Sequence, residues 1–385
     1  MDFKFPVKKN ISILALGAES AGNFSAYSPL PNHSPLSKGG IQGGSVYLSP
    51  DFGDILEEKN WQNYKKAVLK YLKDKKISPK IILTDLHPLF KTTALGKELS
   101  KKFKAEFIQV QHHHAHIFSA IGDKIINSIN YKLQAKSYCI AMDGTGLGTD
   151  GKIWGGEAFA ISNKYKIQRV GHLENQILIG GDLPIQEPAR MLIGILSKFL
   201  NKKEIYLIVK KYYNQNEFEL LYNQLQQKFN CLETSSTGRV LDATSLLLGF
   251  CDNKRNYKHE PIDLLEKNST TVYKDLKPKI IFNKKEKQHI LLTTPLFKYL
   301  TENISKDKKR LAATAQIYIA QGLHKIITLE TKSQKPKAIF ISGGLANNKI
   351  ISSFLESKGA YGAKKIPRGD AGLSFGQIIY YLFRG

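Results

Sequence analysis

Apolar residues fall along this chain in two patterns. Short continuous runs end in glycine, and longer stretches place apolar residues every three or four positions. ISILALGAES (11–20), VYLSPDF (46–52) and KIILTDLHP (80–88) predict buried strands, the last with polar residues at its C-terminal end. SYCIAMDGTGLGTDG (137–151) predicts a strand running into a Gly-rich hairpin turn, with KIWGGEAFAIS (152–162) as the returning strand. KAIFISGGLANNKIISSFLES (337–357) reads as strand, glycine turn and helix. Helical spacing is clearest in WQNYKKAVLKYLKDKK (61–76), where Trp61, Tyr64, Ala67, Val68 and Tyr71 share a face. VQHHHAHIFSAI opens a helix, residues from about 186 to 330 are mostly helical, and RGDAGLSFGQIIYYLF closes as a loop and final helix. YSPLPNHSPLSKGGIQGGS (27–45) is rich in Pro, Ser and Gly and predicts a loop.

An apolar strand meets a glycine turn at LALGAES and again at AMDGTGLGTDG. This coarse duplication predicts two lobes that set two backbone turns on either side of one cleft, where glycine lets N–H groups approach phosphate closely. At 385 residues and 42% hydrophobic composition the chain is large enough for more than one core. Cys139, Cys231 and Cys251 are scattered, which argues against a disulfide framework and a cysteine zinc site and fits a reducing cytoplasmic location. The start, MDFKFPVKKN, is charged and no apolar run approaches the ~20 residues that span a bilayer, so no membrane association is expected. The net charge of +24 is spread along the chain on lysine, and the dense runs KYLKDKKISPK, KPKIIFNKKEKQ and SKDKKR read as solvated helix faces and loops rather than a nucleic-acid surface.

Four of the ten histidines lie within residues 112–116. His112 and His116 stand four apart, one turn apart on a single helix face, the spacing of a metal-binding pair. The segment lacks the glutamate of HExxH, which disfavours peptide hydrolysis. An acid is the natural third ligand. Asp370, in a Gly-flanked loop, is one candidate, with an N-cap as its alternative role. Asp143, Gly144, Thr145 and Gly146 match neither a P-loop nor GxGxxG, and suit a phosphate-binding turn. Ser342, Gly343, Gly344 and Asn348 suit contact with the adenosine half of a nucleotide. The loop with Asp182, Glu187 and Arg190 reads equally as a salt-bridged turn.

The order LALGAE, LSPDFGDI, TDLHP, VQHHHAH, MDGTGLGTDGKIWGGE, GGDLPIQEPARM, TSSTGRVLDATSLLLG, SGGLANN and RGDAGLSFGQ resembles the C-terminal carbamoyltransferase module of the HypF family of nickel–iron hydrogenase maturation factors, from about residue 11 to 380. The resemblance implies an α/β, two-lobed ASKHA (actin/hexokinase/Hsp70-like ATPase) fold with nucleotide and metal in the interlobe cleft. The lobes are expected at 1–133 and 134–385. It implies a divalent metal, Fe or Zn, on His112, His116 and Asp370. It implies nucleotide contacts from Asp143, Gly144, Thr145, Gly146, Gly343, Gly344 and Asn348, with Asp242 on the ribose. His113 and His114 are expected to line the same cleft as catalytic groups.

The implied cofactors are ATP and carbamoyl-adenylate, with Mg beside the nucleotide. The implied acceptor is the C-terminal cysteine of a HypE-like protein. Full HypF proteins carry acylphosphatase, zinc-binding and YrdC-like parts ahead of this module. The chain is therefore expected to act as a stand-alone module, with adenylation from a separate YrdC-like protein or domain. Alternatives are O-carbamoylation of a small molecule, a tRNA-threonylcarbamoyl-type transfer, or a non-catalytic nucleotide- and metal-binding subunit. Two spellings depart from the family: YKHE (257–260) stands where YEGQ is usual, and RGDAGLSFGQ where NDGGISLGQ is.

Overall fold

The computed structural model describes residues 1–7, 9–30, 43–128, 131, 133, 137–332 and 334–384. Its first sheet holds β1 (Asp2–Phe5), β2 (Ile13–Ala15), β3 (Ser25–Pro29), β4 (Gly44–Leu48), β5 (Ile81–Asp85) and β6 (Glu106–Val110), in the order β1-β4-β3-β2-β5-β6. The strands β4, β3 and β2 pair antiparallel, and β2, β5 and β6 run parallel. Parallel neighbours need a crossover, supplied between β5 and β6 by α2 (Lys91–Phe103). Before β5 comes α1 (Glu58–Asp74), which buries Tyr64, Val68 and Leu72 against the sheet and leaves Trp61 and Tyr71 at its edge. The expected loop at 27–45 ends in β3 and β4, and its residues 31–42 lie outside the described residues.

After α3 (His112–Asn127) the second sheet repeats the plan. It contains β7 (Ser137–Leu147), β8 (Ile153–Ile161), β9 (Ile167–Leu173), β10 (Gln176–Ile179), β11 (Cys231–Thr234), β12 (Ile280–Asn283), β13 (Gln288–Leu291), β14 (Ala338–Ser342) and β15 (Ala360–Gly362). At its centre β9, β8 and β7 pair antiparallel, while β7, β14 and β15 run parallel. Three antiparallel and two further parallel strands, built twice, make this a two-lobed α/β ASKHA fold.

The helices of the second half are α4 (Pro188–Leu196), α5 (Lys202–Val209), α6 (Gln215–Gln226), α7 (Thr237–Leu248), α8 (Glu260–Lys267), α9 (Thr294–Glu302), α10 (Lys308–Glu330), α11 (Lys349–Ser357) and α12 (Leu373–Arg384). One lysine run departs from its reading as a solvated helix face or loop. KPKIIFNKKEKQ contributes the hairpin β12–β13, because Ile280, Ile281 and Phe282 carry a strand and the lysines that follow occupy its turn. Cys139, Cys231 and Cys251 are free thiols. Among the described residues no helix is long and apolar enough to cross a membrane.

The final helix has a place its chain position does not announce. Phe375, Ile378 and Ile379 of α12 share one core with Ala15, Tyr27 and Leu83 of the first sheet, with Ala115, Phe118 and Ile121 of α3, and with Cys139, Phe159 and Phe340 of the second sheet. Thus α3 and α12 form the joint between the two sheets. They approach closely because Gly376 has no side chain: a Cβ there would stand 1.9 Å from the Ala115 carbonyl oxygen.

Candidate metal centre and its cleft

At the start of α3, Gln111 accepts the His114 N–H through its side-chain carbonyl at 2.9 Å, an N-cap that fixes where the helix begins. This start sets His112 and His116 on the face turned toward β7 and the loop before α12. The Nε2 atoms of His112 and His116 lie 3.0 and 3.1 Å from Asp143 Oδ2. They lie 3.6 and 3.3 Å from Asp370 Oδ1. One ligand atom from each of the four residues falls within 4.8 Å of the others.

Behind His112, its Nδ1 sits 2.7 Å from Asp85 Oδ2. That carboxylate holds the ring proton on Nδ1 and turns the Nε2 lone pair into the cleft, the arrangement a metal-binding imidazole needs. Asp85 ends β5 and is itself held by the His87 N–H at 2.9 Å. The donor set fits a divalent ion. Two imidazole nitrogens and two carboxylate oxygens converge, and Asp370 Oδ1 is buried without a hydrogen-bond donor among the described residues. Zinc and iron both accept such N/O sets.

The electrostatics of the cluster are mutual. Burial works against charge on His112, but Asp85, Asp143 and Asp370 raise its pKa well above the ordinary imidazole value. Burial likewise opposes ionisation of Asp143 and Asp370, and the two imidazoles nevertheless hold both well below the usual carboxylate range.

Asp143 is aimed by a break in β7. The pairing of β7 with β8 slips between Met142 and Gly146, so the DGTG segment is a bulge within the strand and not the tip of the expected hairpin. The tip lies further on, where the Gly148 N–H meets the Lys152 carbonyl at 2.8 Å. A bulge redirects the local side chain, and here it turns Asp143 into the cluster. Asp143 Oδ1 then accepts the Gly144 N–H at 2.8 Å and the Gly344 N–H at 3.4 Å, which joins the two glycine turns at one carboxylate. Gly146 must lack a side chain, since a Cβ would stand 2.6 Å from the His113 ring and 2.9 Å from that of His112.

Asp370 reaches the cluster on a short 3-10 turn (Asp370–Gly372), and its Oδ2 accepts the Ser20 hydroxyl from the first lobe. The turn is set by the loop before it. Asp123, on the same face of α3 two turns beyond His116, accepts the N–H groups of Lys364, Lys365 and Ile366 at 2.9, 2.7 and 2.8 Å. One helix therefore carries two imidazoles of the cluster and the anchor for the segment leading to Asp370.

The other expected residues divide. His113 is buried beside the cluster. The Gln111 amide donates to its Nδ1 at 3.2 Å, which leaves the ring proton on a buried, unpartnered Nε2. Burial and the charge of His112 push its pKa down to about 3, so it is a neutral donor across the neutral range. His114 does not line the cleft. Its ring stacks on Tyr380 at 6.1 Å and meets the edge of Phe159 at 6.0 Å, because the helical turn points it toward α12.

Asn348 is engaged within the protein, capping α11 through the Ile351 N–H at 3.0 Å and donating to Gln316 at 2.7 Å. Asp242 is buried between Arg239 and Arg255. Thr145 is exposed at the bulge. Sequence reasoning missed Asp85 as the partner of His112 and Asp143 as a member of the candidate metal-binding cluster. The available signal was an acid closing an apolar run in each case, TD after KIIL and MD after SYCIA.

Glu157, on β8, braces the bulge from outside. It accepts the Gly155 and Gly156 N–H groups at 3.1 and 3.3 Å and pairs with Arg169 at 2.6 Å. Burial would raise its pKa, yet Arg169 and neighbouring imidazoles bring it down to about 2. A carboxyl group depressed in the folded state stabilises above its unfolded pKa and loses that contribution as pH falls toward the folded one. Glu157→Gln is therefore expected to cost about 3 kcal/mol at pH 7, where it strips Arg169 of its nearest counter-charge. Denaturant melts at pH 7 and pH 3 should show that deficit shrinking at the lower pH.

Two family models match the chain: "HypF Kae1-like domain" over residues 8–123 and "Carbamoyltransferase, Kae1-like Domain, second subdomain" over residues 139–377. A probable carbamoyltransferase HypF of Methanocaldococcus jannaschii is 40% identical over 313 residues, which are 79% of this chain and 39% of that protein. A carbamoyltransferase HypF homolog of Cupriavidus necator is 28% identical over 349 residues, 88% of this chain and 86% of that protein. Among solved structures, full-length HypF in the phosphate- and nucleotide-bound form superposes with a TM-score of 0.83 at 24% identity, over 98% of this chain and 56% of that one. HypF of T. kodakarensis gives 0.82 at 28% identity, over 99% and 49%. The chain thus spans well under half the length of the M. jannaschii relative, and nearly all of the C. necator one.

Proposed function

Because this chain belongs to the HypF family of carbamoyltransferases, we propose that it moves a carbamoyl group from carbamoyl-adenylate to the C-terminal cysteine of a HypE-like acceptor in nickel–iron hydrogenase maturation. The adenylate is made from carbamoyl phosphate and ATP with Mg by a YrdC-like protein or domain. The observation that carries this reading is the buried convergence of His112, His116, Asp143 and Asp370 beside two glycine turns.

These four residues would hold divalent iron or zinc, which when bound supplies Lewis-acid polarisation of the carbamoyl carbonyl. Asp85 keeps the His112 lone pair turned into the cleft. His113 presents Nε2–H as a fixed donor toward the substrate's oxygens; its low basicity does not suit it to keep a thiol's proton. The bulge at Gly144, Thr145 and Gly146 faces the phosphate of the donor, and Gly343 and Gly344 the adenosine half. A full-length HypF that shares this fold has been solved in a phosphate- and nucleotide-bound form, which supports a nucleotide as a ligand of this family.

An intact-mass assay tests the reading. The protein is mixed with a YrdC-like enzyme, ATP, Mg, carbamoyl phosphate and a HypE-like acceptor, with and without chelator. The expected result is one carbamoyl group on the acceptor's terminal cysteine, lost on chelation. An unmodified acceptor in the presence of a demonstrably active adenylating partner rejects the proposed acceptor.

A further inference from the structure

The first turn of α7 lies against the bulge of β7. Ser236, which caps α7, donates its hydroxyl to the Asp143 carbonyl at 3.3 Å and to the Gly144 carbonyl. Three residues on, Arg239 shares one oxygen with Arg255: Arg255 donates to Asp242 Oδ2 at 2.6 Å, and Arg239 Nη2 forms an ion pair with the same oxygen at 2.9 Å. Two guanidinium groups therefore stand on one carboxylate, with side chains only 7% and 3% exposed.

Their hydrogen bonding is incomplete. Among the described residues, Arg239 Nε and Nη1, Arg255 Nε, Asp242 Oδ1 and the Thr237 hydroxyl are buried without partners. Buried polar groups in native proteins are nearly always paired, and an unmade bond on a charged donor is costly. Two guanidinium groups share this one carboxylate directly, with Asp143 acting on Arg239 and Glu260 on Arg255 from further off. Arg239 lies beside the bulge, its Nη2 3.4 Å from where a Cβ on Gly144 would stand; burial lowers its pKa, against the pull of Asp242 and Asp143. The unused donors on two adjacent guanidinium groups and the N-terminus of a twelve-residue helix favour an anion.

We propose that Arg239 and Arg255, braced on Asp242, receive the phosphoryl group of the carbamoyl donor, on the far side of Gly144 from the metal-ligand cluster. This rests on the reading of the cleft as a carbamoyl-adenylate site. In transfer to a thiolate, the sulfur–carbon bond forms and the bond between the carbamoyl carbon and the phosphate oxygen breaks. The electron pair stays on that oxygen, so the phosphoryl group passes from one negative charge to the two of AMP. A paired guanidinium receptor holds the second state more tightly than the first and so favours the leaving group. In this arrangement Asp242 orients the arginines and keeps Oδ1 for a hydroxyl of the same ligand.

Calorimetric titration of AMP and of adenosine into the full chain tests the proposal, with zinc binding measured in parallel. Wild type is expected to bind AMP at least about tenfold more tightly than adenosine, because only AMP presents charge to the guanidinium pair. Arg239→Gln is expected to remove that preference while leaving adenosine and zinc affinities unchanged. Should Arg239→Gln not fold, Arg255→Gln removes the other guanidinium and is expected to reduce the same preference. No AMP binding, equal affinity for the two ligands in wild type, or a preference that survives these variants overturns the receptor. An arginine-dependent AMP preference without carbamoyl transfer would leave the receptor standing and reject the transfer reading. Transfer without that preference would do the reverse.

Discussion

His112→Ala is expected to weaken divalent-metal binding at the candidate cluster by at least about 100-fold and to remove the proposed carbamoyl transfer, the largest effect expected from a single substitution in this chain. The variant removes one of two nitrogen donors and also leaves the Asp85, Asp143 and Asp370 carboxylates buried with one imidazole fewer among them. Like charges brought together in this way disfavour the ionised ligands that a metal needs. Competition against a chromophoric chelator should show zinc affinity reduced at least about 100-fold, with transfer below detection. Asp85→Asn should be milder, on the order of 10–100-fold in affinity, because it loosens the ring of His112 without deleting its nitrogen. Tight stoichiometric zinc in His112→Ala would refute the assignment of the cluster as the metal centre.

Gly376→Ala is expected to be the most damaging small change in the fold. The added methyl would meet the Ala115 carbonyl oxygen at 1.9 Å, and backbone inside a helix has no rotamer with which to yield. Relief requires α12 to move off α3. Overpacking of this kind typically costs 1–3 kcal/mol, and a rigid backbone obstacle puts this case at about 3 kcal/mol or more. The displacement also reaches the site, since α12 follows directly on the turn that carries Asp370 while α3 carries His112 and His116. Urea unfolding should show the stability loss, and zinc titration of the remaining folded protein a weakened site. A variant with unchanged midpoint and unchanged zinc affinity would show that the joint is not under the constraint described.

Several features of the site are legible because they are local. The i, i+4 pair His112 and His116 follows from helical periodicity, and the glycines at 144, 146, 343 and 344 follow from strands that end in turns. Asp370 sits next to a glycine-flanked helix start. Other features are not legible because their physical cause is long-range. Asp85 matters only because β5 ends beside α3, and its partner lies 27 residues away. His114 sits in the same HHHAH run as its neighbours, yet a single helical step of about 100° turns it from the cleft onto Tyr380 and Phe159. Asn348 reads in the sequence as a nucleotide contact; in the fold it caps α11 locally, and its amide meets Gln316 only once α10 and α11 pack.

What the amino-acid sequence determined by itself is most of the elements around the site, the duplicated strand–turn plan and most of the chemistry-bearing residues. These depend on periodicity and on neighbours within one or two turns, where steric rules act directly. What only the tertiary structure decided is which of those residues meet. The slip in β7 between Met142 and Gly146 converts an expected phosphate-turn aspartate into a member of the candidate metal-binding cluster. The docking of α12 on α3 brings residue 370 to residue 112, and the packing of α7 places two arginines on one carboxylate. Each of these depends on close packing between segments remote in the chain, where the absence of one methyl group or the slip of one residue changes which side chain faces which.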